Sequence, residues 1–281
     1  MNLLKSLFIT GYLMAGVAGL IAALLALADS RLHSPWLGTA IACAGPTLFF
    51  SQIMLKPRAR TSRNLNLLIA AGVVGAGISV ALAGSLAATP VLISLAVGVA
   101  GSLVYVFWYS RFGAAGNAAL SGGAQLPDFE LVEQGRRFRT AELVAKPALW
   151  IFYRGNWCPL CVAQIQEIAA QYRELARRGV EVYLVSPQPE ANSQALSKKM
   201  DAPMRFMTDA DNRAAETLGI KVVDGLPAGF QALGYGSDVP RPTVFITEPG
   251  GRLIFCDLTD NYRVRPEPAT FFSVLDRHAI V

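Results

Sequence analysis

Charge is scarce in this chain, and acid is scarcest of all in its first half. Only 16% of its 281 residues are Asp, Glu, Lys or Arg, against roughly a quarter in an ordinary soluble domain. Residues 1–125 hold one acid, Asp29, beside seven basic residues: Lys5, Arg31, Lys56, Arg58, Arg60, Arg63 and Arg111. Hydrophobic residues reach 53%, which excludes a disordered chain and a simple soluble monomer. Four cysteines are too few for a disulfide-rich mini-protein. With His33 and His278 as the only histidines, a haem between two axial histidines on facing helices is excluded too. The last 156 residues carry 18 basic and 19 acidic groups, so the overall +5 belongs to the apolar half. Cations that must meet lipid do not form a nucleic-acid face, and no nucleic-acid partner is expected.

What the first half has is long runs free of Asp, Glu, Lys and Arg: 23 residues at Ser6–Ala28, 24 at Leu32–Leu55 and 47 at Asn64–Ser110. A bilayer core takes about 20 apolar helical residues. The first two runs fit one span each, and the third fits two, broken near Pro90, which has no amide hydrogen to continue a helix. Four transmembrane helices are expected, at about 7–28, 36–55, 65–87 and 91–110, forming an all-α bundle in region 1–111. Lys56, Arg58, Arg60 and Arg63 crowd one loop, and positive loops stay on the cytoplasmic side. The expected location is a bacterial-type inner membrane, multi-pass, with the C-terminal domain in the cytoplasm. The alternative, a periplasmic domain, is tested by a reporter fused to the C-terminus. A cleaved first span is the weaker reading, because its apolar run is long for a signal peptide.

The spans contain no ionisable residue at mid-membrane to mark a pathway. Cys43 is their single thiol, which reads as a small buried residue. Gly11/Ala15/Gly19, Gly72/Ala76 and Gly77/Ala81 repeat at a spacing that lets helices approach closely. Packing within the bundle and assembly of a homodimer explain that spacing equally well. The membrane half reads as an anchor in the lipid bilayer.

Residues 112–125 are small and nearly featureless, and read as a linker. From 126 to 281 strand and helix patterns alternate. Strands are expected at Ala148–Tyr153, Val180–Ser186, Met204–Thr208, Thr243–Thr247 and Arg252–Asp257, the last two joined by the hairpin punctuation Glu-Pro-Gly-Gly. Helices are expected at Val162–Arg178, ending at Gly179, at Glu190–Lys199, around Arg213–Leu218 and at Ala269–Arg277. This is an α/β domain with a mixed central sheet flanked by helices.

One motif carries chemistry, where the first buried strand feeds the long helix: Tyr153-Arg-Gly-Asn-Trp-Cys158-Pro-Leu-Cys161. Thiols three apart lie side by side on a helical turn, and Pro159 suits the first helical position. Unpaired amides and the helix dipole there favour a thiolate, the nucleophilic form. Arg154 adds positive charge, and Trp157 is placed as a shield beside the sulfurs. The structural alternative is half a zinc site, formally completed by Cys256 and His278. Those two lie 22 apart and far from the first pair, unlike the close pairs of zinc motifs, so no metal and no cofactor is expected. Cys256 itself reads as a packed core thiol rather than a resolving one.

These residues resemble the thioredoxin-fold superfamily, and within it the peroxiredoxin-like proteins of the alkyl hydroperoxide reductase/thiol-specific antioxidant type. The resemblance covers about residues 125–260. The entry Gly-Ala-Gln-Leu-Pro127-Asp-Phe129 and the stretch from Phe206 to Gly219 look like peroxiredoxin, whereas Trp157-Cys-Pro-Leu-Cys looks like a thioredoxin active site. Arg241-Pro242-Thr243 matches both: the resemblance implies a proline beside the active site, cis in thioredoxins, and an arginine supporting the thiolate. It leaves the attacking sulfur open. Cys161 falls at the peroxide-attacking position of peroxiredoxins, with Cys158 in place of their threonine, while the thioredoxin pattern makes Cys158 the attacker. The first cysteine of such a turn is generally the more exposed, which favours Cys158.

The resemblance implies a membrane-anchored oxidoreductase with antioxidant activity. The first reading is a thiol peroxidase cycling through a Cys158–Cys161 disulfide, with a hydroperoxide as substrate and a thioredoxin-type dithiol as donor. The rivals are a thiol–disulfide oxidoreductase acting on protein disulfides and a non-enzymatic membrane redox sensor or scaffold.

Overall fold

The computed structural model describes residues 2–29, 34–113, 117–258 and 260–280. Arg31 and His33 lie outside the described residues, as do 114–116 of the expected linker. The chain divides into two compact units, one of Leu4–Pro57 with Thr61–Arg111, the other built on Phe112–Val281.

Among the described residues, four helices in the first unit are long and apolar enough to cross a membrane: Asn2–Asp29, Trp36–Leu55, Asn66–Ala83 and Thr89–Tyr109. The third stops four residues before the expected 87, where Gly84 takes a left-handed conformation and its amide closes on the Val80 carbonyl. Small residues do bring backbones together. A side chain at Gly72 would collide with the Gly98 carbonyl, and one at Gly38 with the Gly75 carbonyl. Gly11 and Gly77 face open space instead. Cys43 is buried, its sulfur packed where a side chain on Gly19 would lie. Thr39, Ser79 and Ser94 join hydroxyls inside the bundle, and Thr39 and Ser94 donate to the Pro90 carbonyl.

The second unit is a mixed α/β domain. Its strands are β1 (Glu130–Glu133), β2 (Arg136–Arg139), β3 (Ala148–Phe152), β4 (Glu181–Ser186), β5 (Arg205–Thr208), β6 (Lys221–Val222), β7 (Val239–Pro240), β8 (Thr243–Thr247) and β9 (Leu253–Asp257). Seven of them form one sheet in the order β2-β1-β5-β4-β3-β8-β9, and β6 pairs with β7 in a separate ribbon. Strands β3, β4 and β5 are parallel, while β8 runs antiparallel to β3 and β9 to β8. Every residue of β3 and β8 is buried, as their unbroken apolar runs require of strands covered on both faces. Trp150, Phe152, Phe245 and Phe129 form the aromatic centre of this core.

The expected helix at Val162–Arg178 is two, Pro159–Ala170 and Tyr172–Arg177, interrupted at Gln171. Gly179 ends the second with φ +68°, the left-handed closure that glycine takes without a Cβ clash. The hairpin β1–β2 has no counterpart among the expected strands, because its strands are short and charged. Its turn, Gln134-Gly135, places both residues at positive φ, the twist that fits a two-residue hairpin. Part of the expected linker is docked: Leu120 is buried, Gln125 bridges to Arg252, and the Asn117 side chain donates to the Leu218 carbonyl.

Asp209 anchors the turn after β5. Its two carboxylate oxygens accept the Ala214 and Ala215 amides at 2.8 and 2.9 Å, and burial pushes the carboxyl up to about 6 despite those donors. A folded value above the unfolded one means that this group's stabilisation is complete below about pH 4 and is lost as pH rises through about 6, a change of about 3 kcal/mol in all. Urea titrations of the second unit at pH 4.5 and 7 should show that loss, and Asp209→Asn should flatten it. An unchanged slope in the variant would assign the pH dependence elsewhere.

Candidate active site

Strand β3 ends at Phe152, and Tyr153–Trp157 carries the chain to the helix Pro159–Ala170. Cys158 is the N-cap of that helix, with extended backbone (φ −94°, ψ 105°), and Pro159 opens the first turn. The Cys158 carbonyl accepts the Cys161 and Val162 amides at 3.0 and 3.1 Å, which sets the two side chains on the same turn. Both thiols are free. Both are also buried, Cys158 at 3% exposure and Cys161 at 0%, so the first cysteine is scarcely more open than the second.

The charge is not shared evenly between them. Burial by itself lifts the Cys161 thiol, but three donors reverse it: the Cys158 thiol, the Arg265 guanidinium and the Arg154 backbone amide. The result lies well below the ordinary thiol value. Cys158 moves the opposite way, raised first by its hydrogen bond to Cys161, then by burial and by the neighbouring negative charge. Both directions favour the proton on Cys158 and the thiolate on Cys161. The expectation that favours Cys158 as attacker rests on exposure, in which the two thiols differ little.

Arg265 is the residue that sequence reasoning missed. Its guanidinium donates to Cys161 Sγ at 3.4 Å, to Gln164 Oε1 at 2.9 Å and to the Tyr262 carbonyl at 3.0 Å. It is 7% exposed, in the segment between β9 and the last helix, Pro268–Arg277. Gln164, one turn beyond Cys161, holds the guanidinium by its far edge. Nothing in Arg263-Val-Arg265-Pro-Glu-Pro marks this role, since it depends on a fold contact across 104 positions.

Arg241, expected to support the thiolate, is elsewhere. Its guanidinium donates to the Leu258 carbonyl and lies 5.2 Å from the Phe112 ring centre, among Asp260, Asp257 and Cys256. Pro242 borders the site through Thr243, which pairs with Phe152, and its peptide bond is not cis. Arg154 is buried, donates to the Gly225 carbonyl and sits 4.9 Å from the Trp157 ring centre. Its charge lowers the Cys158 thiol without outweighing the forces that raise it. Trp157 packs near Phe230, ring centres 5.6 Å apart, and Gly155 (φ +143°) leaves room for its ring, since a Cβ there would lie 2.6 Å from Trp157 Nε1.

A second tie comes from Gln188, also missed from sequence. Its amide donates to Tyr153 Oη at 2.9 Å and Ser193 Oγ at 3.0 Å, and its carbonyl oxygen accepts the Asn156 amide at 2.8 Å. The loop before the cysteines is thereby pinned to the end of β4. Cys256 lies opposite Phe245 on β9 and packs against the core, where burial pushes its thiol up to about 12. Among the described residues no group of three or more His, Cys, Asp or Glu side chains converges as a metal site would require, and Cys256 and His278 do not join the cysteine pair. A buried thiolate held by a guanidinium, with a protonated thiol beside it, can attack an electrophile and then close a disulfide.

Residues 123–255 match the model of the AhpC/TSA family. No curated protein matches the chain. Among solved structures it is similar to the peroxidoxin BcpB from Mycobacterium tuberculosis, at 19% identity over 58% of this chain and 99% of that one, with a TM-score of 0.47. Reduced Prx3 from Vibrio vulnificus is similar at 19% identity over 56% and 98%, TM-score 0.49, and Mycobacterium bovis AhpC at 17% over 57% and 98%, TM-score 0.46. The family match makes the second unit peroxiredoxin-like and its chemical class that of an oxidoreductase. Arg265 lies beyond the matched residues.

Proposed function

We propose, from the premise that residues 123–255 form an AhpC/TSA family domain, that the chain is a membrane-anchored thiol peroxidase in which Cys161 attacks and Cys158 resolves. The observation that carries this reading is the Arg265 guanidinium donating to Cys161 Sγ at 3.4 Å, with Cys158 on the same turn. The Cys161 thiolate attacks the terminal oxygen of a hydroperoxide. An S–O bond forms as the O–O bond breaks, so sulfur is oxidised to a sulfenic acid and the peroxide is reduced to an alcohol or water. The leaving oxygen takes the Cys158 proton. The new Cys158 thiolate then attacks the Cys161 sulfur, forming the disulfide and expelling hydroxide, which solvent protonates. A dithiol donor of thioredoxin type restores both thiols by exchange and leaves oxidised.

Cys158 stands where the family resemblance implies a threonine, and its thiol takes over the donation to the attacking sulfur before it serves as the resolving group. The four apolar helices support anchoring in an inner membrane, and the cations at 56–63 support a cytoplasmic second unit, within reach of such a donor. Peroxide consumption by the detergent-solubilised full-length protein, with a thioredoxin system as donor, tests the reading. Turnover that depends on both cysteines supports it. Reduction of insulin disulfides without peroxide turnover would replace it with a protein-disulfide oxidoreductase, and neither activity would leave a sensor or scaffold.

A further inference from the structure

One segment that the proposed chemistry does not use closes over the loop leading to the two sulfurs. Residues 224–238 leave the β6–β7 ribbon and return to it. Their base is pinned: the Leu226 amide bonds the Ser237 carbonyl at 3.0 Å, the Asp224 amide bonds Asp238 Oδ1 at 3.0 Å, and Leu226 is buried. Their tip is not. The helical turn Phe230–Leu233 has no buried residue, and Leu233 is 67% exposed. Glycines at positive φ stand on both sides of that turn, Gly229 and Gly234.

Contacts among the described residues hold this segment against the turn that carries the cysteines. The Phe230 ring lies on Trp157, the Tyr235 hydroxyl donates to Asn156 Oδ1, and the Gly225 carbonyl accepts from Arg154. All three partners, Arg154, Asn156 and Trp157, belong to the loop that leads from β3 into Cys158. The contacts of Phe230 and Tyr235 are made by the tip and its flank.

We infer that residues 224–238 are a lid that sets which molecules reach the cysteine pair, with Phe230 and Tyr235 as its specificity-determining latch. Small hydroperoxides reach Cys161 under the closed lid. Bulky hydroperoxides and the protein that reduces the disulfide reach sulfur only after Phe230 leaves Trp157 and Tyr235 leaves Asn156. This rests on the peroxidase reading for its substrates, though not for the lid itself.

The test compares the full-length protein with Phe230→Ala, and with Tyr235→Phe, which removes one hydroxyl and keeps the ring. The reduced protein is treated with methyl methanethiosulfonate and, separately, with fluorescein maleimide, and modification of the pair is followed by mass. An aromatic contact of this kind biases an opening equilibrium by about tenfold. The bulky-to-small rate ratio should therefore rise about tenfold in Phe230→Ala and less in Tyr235→Phe, in step with the ratio of cumene hydroperoxide to hydrogen peroxide consumption. A ratio unchanged in both variants, with near-ultraviolet circular dichroism as in the parent, overturns the lid. A changed alkylation ratio in a protein that consumes no peroxide would keep the lid and discard the peroxidase.

Discussion

Cys161→Ser abolishes peroxide consumption, lowering the rate of the first turnover by at least about three orders of magnitude, because serine supplies no thiolate. Cys158→Ser behaves differently. The serine hydroxyl can still donate to Cys161, so the first equivalent of peroxide is consumed at a rate near that of the parent. The sulfenic acid then has no resolving thiol, and steady-state turnover with a dithiol donor collapses while a dimedone adduct accumulates on Cys161. Stopped-flow traces and mass spectrometry of the two variants read both effects. Equal loss of the first turnover in the two would mean that neither sulfur is privileged, contrary to the electrostatics of the site.

Arg265→Met moves the pH dependence of that first turnover. Burial raises Cys161, and the Cys158 thiol, the Arg265 charge and hydrogen bond and the Arg154 amide hold it low; without the guanidinium that lowering weakens. An opposite charge at this range is worth about 1–3 pKa units. The pH at which reactivity half-rises should therefore move upward by that amount, and the rate at neutral pH should fall about tenfold or more, recovering as pH is raised. Arg265→Lys keeps the charge and should shift the profile less. The methionine variant also leaves Gln164 Oε1 and the Tyr262 carbonyl without this donor, so a stability loss of about 2–4 kcal/mol accompanies it. The kinetic shift is read at a temperature where the variant is folded. Arg241→Gln, by contrast, should leave the pH profile in place, since Arg241 bonds Leu258 and not the cysteine pair.

That contrast marks where the sequence was legible and where it was not. The apolar runs declared four helices because a bilayer-length helix needs nothing beyond its own residues. Strands β3 and β8 were visible as unbroken apolar stretches bounded by punctuation, and Cys158-Pro-Leu-Cys161 located the site because strand, helix start and thiols are contiguous. Arg265 was not visible, since its function is a contact made by folding alone, outside any motif and beyond the family match. Arg241 was visible because its neighbours in sequence fit the family pattern, but the direction of its guanidinium, to the Leu258 carbonyl and the Phe112 ring, was not. The proposed choice between the two sulfurs likewise rests on a buried guanidinium, which their order in the motif does not reveal. The hairpin β1–β2, short and charged, lacked the apolar alternation by which strands are read.

The most direct measurement is peptide mapping of the full-length protein after one equivalent of hydrogen peroxide, with free thiols alkylated and each variant treated in parallel. The account predicts a single Cys158–Cys161 disulfide in the parent, Cys43 and Cys256 still reduced, and sulfenic acid on Cys161 in Cys158→Ser. A parent whose pair stays reduced, or a Cys161→Ser protein that carries sulfenic acid on Cys158, would contradict it.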